Sequence, residues 1–127
     1  MRNSVRAFAP ALIWAAAVWM IGGMESTPDV PGGFGLDKVA HFTMYGVLGF
    51  LLARGWSAVG WRGAWLLPAL IALLLGVADE RRQSALPGRT ADVADWVADL
   101  SGASTGVFIA LRMARRRRND DDDRHDE

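Results

Sequence analysis

The sequence predicts an all-α integral membrane protein, a four-transmembrane-helix bundle, and three observations carry that prediction. Four apolar runs each approach the roughly 17 to 25 residues that a bilayer-spanning helix needs. None alternates with the period of two that marks a strand, and only helices or closed barrels satisfy their backbone in lipid. Outside the C-terminal tail, the basic residues sort mostly to one side of the four spans.

The first run, about residues 5–24, carries only Arg6 at its edge. A cleaved signal peptide is the alternative for it, but the run exceeds the roughly 7 to 15 residues of a signal core. The second, about 39–56, holds His41, Thr43 and Tyr45 near its start and is otherwise apolar. The third, about 63–82, contains LLPALIALLLG, which has no polar face to show to water, with Pro68 early in the helix. The fourth, about 92–113, encloses Asp95 and Asp99. Residues 1–114 thus form one membrane domain, and residues 115–127, RRRRNDDDDRHDE, read as a cytoplasmic basic-then-acidic disordered tail.

Composition removes several function classes. With no cysteine there is no disulfide framework, thiolate zinc site or cysteine nucleophile. Fourteen basic residues against 14 acidic ones argue against a general nucleic-acid binder. That zero is sorted along the chain, however. Arg2 and Arg6 precede the first helix, Arg54 and Arg62 lie between the second and third, and Arg112 with Arg115 to Arg118 follow the fourth. By the positive-inside rule this side, with both termini, is cytoplasmic. The opposite loops, 25–38 and 79–92, hold only Lys38, Arg81, Arg82 and Arg89. Trp56, Trp61 and Trp65 suit the inner interface, Trp19 and Trp96 the outer one.

The unusual polar residues then converge at the outer ends of helices two, three and four. Asp37, His41 and Tyr45 are spaced i, i+4, i+8 and line one stripe, with Lys38 at the rim. Asp79, Glu80 and Gln83 fall within about 100° of arc if the third helix continues that far. Asp92, Asp95, Asp99, Gly102 and Gly106 fall within about 80° on the fourth. Ionisable groups cost about 2.5 to 3.5 kcal/mol each at a membrane-helix centre, so they should face one another. Gly102 and Gly106 make the small-xxx-small spacing that lets helices pack closely. Each element also has a plain structural reading. His41 can be a hydrogen-bonded core histidine, Asp79 and Glu80 interfacial acids balanced by Arg81 and Arg82, and Leu86-Pro87-Gly88-Arg89 simply a turn.

The run D37-K38-V-A-H41-F42-T-M-Y45, then D79-E80-R-R-Q83, then G88-R89 with D95-x-x-x-D99-x-x-G102, resembles the VanZ-like family of small bacterial membrane proteins. The resemblance covers residues 37 to about 106 and implies a multi-pass protein of the cell inner membrane and the cell envelope. The family is named for a member linked to resistance to the antibiotic teicoplanin. Where its pattern has Asn, this chain has Asp99. A neutral role there requires that carboxyl to be protonated or paired. The resemblance leaves the reaction open.

Three functions compete. In the first, the outer cluster binds or modifies an anionic lipid-linked or cell-wall-related group and affects glycopeptide susceptibility. Lys38, Arg89 and Arg81 or Arg82 would hold the anion, and His41 with Glu80 or Asp95 would act as acid and base. Asp37, Tyr45, Asp79, Gln83 and Asp99 complete the binding set. In the second, Asp37, His41, Glu80 and Asp95 hold a divalent metal in a membrane enzyme. In the third, the cluster is a structural network of a membrane scaffold or accessory subunit. The expected partners are membrane lipids and the lipid-linked or cell-wall ligand, with no nucleic acid; the sequence does not fix an oligomeric state.

Overall fold

Gly35 starts the helix that organises the bundle. It sits at φ 144°, a backbone conformation that side chains rarely allow, and its N–H donates to Asp37 Oδ1 at 3.2 Å. Asp37 thereby satisfies an orphan donor and places an acid in the first turn, where the helix dipole favours one. The computed structural model describes residues 2–22, 35–60, 66–86 and 92–125, with side chains from residue 4 to residue 120 within them. They form α1 (Arg2–Gly22), α2 (Leu36–Ala58), α3 (Leu66–Ser84) and α4 (Val93–His125), with no strand among the described residues.

The ends of these helices follow local chemistry. After α2, Gly60 takes φ 75°, and the N–H groups of Val59 and Gly60 close on the carbonyls of Gly55 and Ser57. Pro68 occupies the first turn of α3 as described, where its missing N–H costs least. The helix continues through Gln83, as the Asp79, Glu80 and Gln83 arc requires. Asp92 caps α4, accepting the Ala94 N–H at 2.8 Å.

One boundary differs. α4 was expected to end near Met113 with a disordered tail from 115, but the helical backbone runs on to His125. No glycine or proline follows Gly106, and arginine is a strong helix former, so an established helix propagates.

The chain runs up, down, up, down. Phe8 of α1 packs edge-on against Trp56 of α2 with ring centroids 6.0 Å apart, while Trp14 Nε1 donates to the Met44 carbonyl at 2.8 Å. α1 and α2 are thus antiparallel. α2 and α4 are parallel and make the most extensive contact in the bundle. Its closeness comes from small residues: a Cβ on Gly102 would press on the Phe42 carbonyl, one on Gly106 on the Gly46 carbonyl, and one on Gly49 on the Ala103 carbonyl. Tyr45, Leu48, Leu52, Ala72 and Ala103 fill the centre with Ala11 and Val18 of α1.

Outside this core the bundle is apolar on every helix. Leu12, Ile13 and Met20 of α1, Val39 of α2, Leu66 and Leu74 of α3, and Val97 and Phe108 of α4 are all exposed. By length and composition alone one described helix is apolar enough to cross a membrane: Ser4–Gly22, with mean hydropathy 1.6. α3 and α4 carry their charges inside the helix, Asp79 to Arg82 in one and Asp95, Asp99 and the arginines in the other.

Candidate functional site

The helix directions bring the acidic ends of α2, α3 and α4 to one end of the bundle. Arg6, Arg54 and Arg112 lie toward the opposite end. Three groupings build the acidic end.

The first is centred on Lys38. Its Nζ lies 2.9 Å from Asp37, 2.5 Å from Asp92 and 2.5 Å from Asp95, so one ammonium ties the start of α2 to the start of α4. Burial works against the ammonium, but the hydrogen bonds to Asp92, Asp95 and Asp37 outweigh it and push the Lys38 pKa up. Reciprocally, the Lys38 contact holds the carboxyls of Asp37 and Asp92 below the usual range.

The second grouping lies one turn along α2. His41 Nδ1 meets Asp99 Oδ1 at 2.8 Å, with the His41 side chain 14% and the Asp99 side chain 3% exposed. With Asp99 as a carboxylate acceptor, Nδ1 carries the hydrogen, and in the neutral ring Nε2 then holds the lone pair. His41 is within electrostatic reach of Asp95 and Glu80. Gly76 of α3 backs the pair: a Cβ there would sit 3.2 Å from Asp99 Oδ2 and 3.4 Å from the Tyr45 ring. Tyr45 is buried at 2% exposure, continuing the stripe below His41.

The third grouping joins α3 to α1. Asp79 accepts from Arg82 and from Gln83, both at 2.9 Å, and Arg82 also donates to the Trp19 carbonyl. The Arg82 guanidinium stacks 4.2 Å from the centroid of the Trp19 ring. α1 can approach because residue 22 is glycine; a Cβ there would fall 2.7 Å from Asp79 Oδ2. Glu80 links α3 to α4 by accepting the Asp92 N–H at 2.9 Å.

Of the residues expected from sequence, Asp37, Lys38 and Asp95 meet, His41 meets Asp99, and Asp79 meets Gln83. Arg89, with the Pro87-Gly88 turn, lies outside the described residues, as do Trp61 and Trp65. The four metal candidates do not converge. Among the described residues no three His, Asp or Glu side chains form a group that could hold a metal ion. Asp37 and Asp95 take Lys38, His41 takes Asp99, and Glu80 takes a backbone N–H. Asp92, though on the acidic stripe of the fourth helix, and Trp19 lie outside the expected binding set. Asp92 had a signal in its position just before a helix, the place for an N-cap. The Trp19 carbonyl had none.

The VanZ/LLP1 family model matches residues 3–114, most of the chain. The chain belongs to the VanZ-like family. No curated protein and no solved structure matches it. The match takes in nearly all of α1, the whole of α2 and α3, and α4 as far as Ala114, short of the helical extension that carries the arginine and aspartate runs.

Proposed function

We propose that this VanZ-like chain is a multi-pass protein of the bacterial inner membrane, with four spans and both termini cytoplasmic. Its outer end binds or modifies an anionic lipid-linked or cell-wall-related group and so affects glycopeptide susceptibility. The membrane placement is supported by the large apolar side chains exposed on every helix and by the sorting of Arg6, Arg54 and Arg112 to the end opposite the acids. A water-soluble bundle would turn Leu12, Ile13 and Met20 inward; lipid asks the reverse.

The observation that carries the functional reading is the His41–Asp99 contact at 2.8 Å. An acceptor on Nδ1 fixes the ring and directs Nε2 as the working base, the arrangement that acid–base chemistry uses. Lys38 and its three carboxylates form a rim above it. Arg81, exposed at the end of α3, would meet the anion, together with Arg89, which lies outside the described residues.

A second reading, the structural network of a scaffold or accessory subunit, is favoured by one observation. Lys38 is met by three carboxylates and Asp79 by two donors, which is how a satisfied network looks. Single substitutions of His41, Glu80, Arg89 and Asp95, with membrane abundance measured beside envelope-antibiotic susceptibility, separate the two. Normal abundance with a lost phenotype supports the site; parallel loss of both supports the network.

A further inference from the structure

On the face of the α2–α4 seam turned away from α1 and α3 lies an open groove of about 290 Å³. Phe42 and Phe50 of α2 and Ile109 of α4 wall it, and Gly46, Gly102 and Gly106 leave its floor without side chains. We propose that this groove holds one hydrocarbon chain of a membrane lipid, with the lipid's headgroup at the Lys38 end of the seam. The inference rests on the membrane placement proposed above.

Three observations identify the occupant. Thr43 and Thr105 line the groove, yet their hydroxyls donate backward to the Val39 and Ser101 carbonyls, at 2.7 and 2.8 Å. They therefore offer methyl groups, which suits an alkyl chain and offers nothing to a polar peptide. The groove runs along the seam: Phe42 to Phe50 spans about 12 Å of helix. It is also continuous with the polar end. Phe42 follows Lys38 by one turn on α2, and Gly102 follows Asp99 by three residues on α4, so a chain in the groove points its headgroup at the Lys38, Asp92 and Asp95 rim.

The test uses the full-length protein in nanodiscs of phosphatidylethanolamine and phosphatidylglycerol, with a phosphatidylethanolamine probe, whose ammonium suits the carboxylate-rich rim, carrying a diazirine in mid-chain. After photolysis, labelled residues are mapped by mass spectrometry. Labelling concentrated on residues 42–50 and 102–109, above that of Leu12 and Ile13 on the freely exposed face of α1, is expected. Thr43→Phe with Thr105→Phe, which fill the groove from its rim, should lower groove labelling to the level of Leu12 and Ile13, because packing alone holds a chain there and the rings take its space. Labelling at Leu12 and Ile13 should not change, and it serves as the folding control. Uniform labelling insensitive to these variants would mean ordinary annular lipid and would overturn the proposal. So would disulfide crosslinking of Thr105→Cys between copies in native membranes, a clean readout in a chain without cysteine. Because labelling does not depend on chemistry at His41, a labelled groove beside an unchanged His41→Gln phenotype upholds the groove and removes only the acid–base reading.

Discussion

His41 Nδ1 and Asp99 Oδ1 lie 2.8 Å apart across the parallel seam of α2 and α4, and that contact converts two helix-borne polar residues into an oriented pair. Asp99 is buried, and its pairing with His41 meets the condition that burial sets for a carboxylate. Asn in the same place would present a carbonyl to the same Nδ1–H. The geometry at this position asks for an acceptor for His41.

Asp99→Asn should therefore keep membrane abundance and envelope-antibiotic phenotype close to those of the parent. Asp99→Leu, which removes the acceptor, should lose the phenotype and about 1 to 3 kcal/mol of stability through an unsatisfied His41. Abundance, susceptibility and thermal unfolding in detergent measure all three. Loss of phenotype in Asp99→Asn at normal abundance would show that the charge itself matters.

Gly76→Ala tests the backing of the pair. The new methyl would sit 3.2 Å from Asp99 Oδ2, so Asp99 must shift by a few tenths of an ångström, with the Tyr45 ring in contact at 3.4 Å. Overpacking of this kind costs about 1 to 3 kcal/mol. Gly106→Ala should be worse, because its methyl meets the rigid Gly46 carbonyl and separates α2 from α4. Unfolding temperatures in the order parent, Gly76→Ala, Gly106→Ala are expected; a Gly106→Ala variant as stable as the parent would contradict the close seam.

The Lys38 rim predicts a pH dependence. Asp37 and Asp92 are held below their ordinary values, so the stability they contribute is fully present above about pH 4 and is lost as pH falls through their lowered values. Lys38 is raised, so its contribution is present below about pH 10.4 and is lost only as pH rises beyond that. Lys38→Met should be less stable at neutral pH and show a shallower acid limb, because the two aspartates no longer have a cation to hold their protons off. Equal acid limbs in the parent and Lys38→Met would contradict the rim.

Much of this was legible in the sequence because period and charge are local signals. The i, i+4, i+8 stripe of Asp37, His41 and Tyr45 needed only a helix to become a face, and Gly102 with Gly106 marked a close contact before its partner was known. The pairing partners were not legible. Nothing in sequence distance tells His41 to choose Asp99 rather than Asp95, which lies one turn away on nearly the same face; the register of α2 against α4, set by glycines at 46, 102 and 106, decides it. The Trp19 carbonyl was silent for a similar reason, since a backbone acceptor carries no residue signature. The helical continuation to His125 is not legible in the charge runs, because runs of Arg and Asp signal solvation while arginine's helix propensity carries the backbone on.

Arg82 offers a spectroscopic check of the α1 contact. Its guanidinium covers the Trp19 ring at 4.2 Å and donates to the Trp19 carbonyl, so Arg82→Ala should uncover the ring and lose about 0.5 to 2 kcal/mol. Trp19 fluorescence, isolated by comparison with Trp19→Phe, should change its emission maximum in Arg82→Ala. An unchanged spectrum would place Arg82 elsewhere.

The most direct test of the account is His41→Gln in cells, with membrane abundance and envelope-antibiotic susceptibility measured on the same cultures. Glutamine can still donate to Asp99 but has no Nε2 base. The account predicts normal abundance with a lost phenotype. Normal abundance with an intact phenotype would contradict it and leave the His41–Asp99 pair as a structural link between two helices.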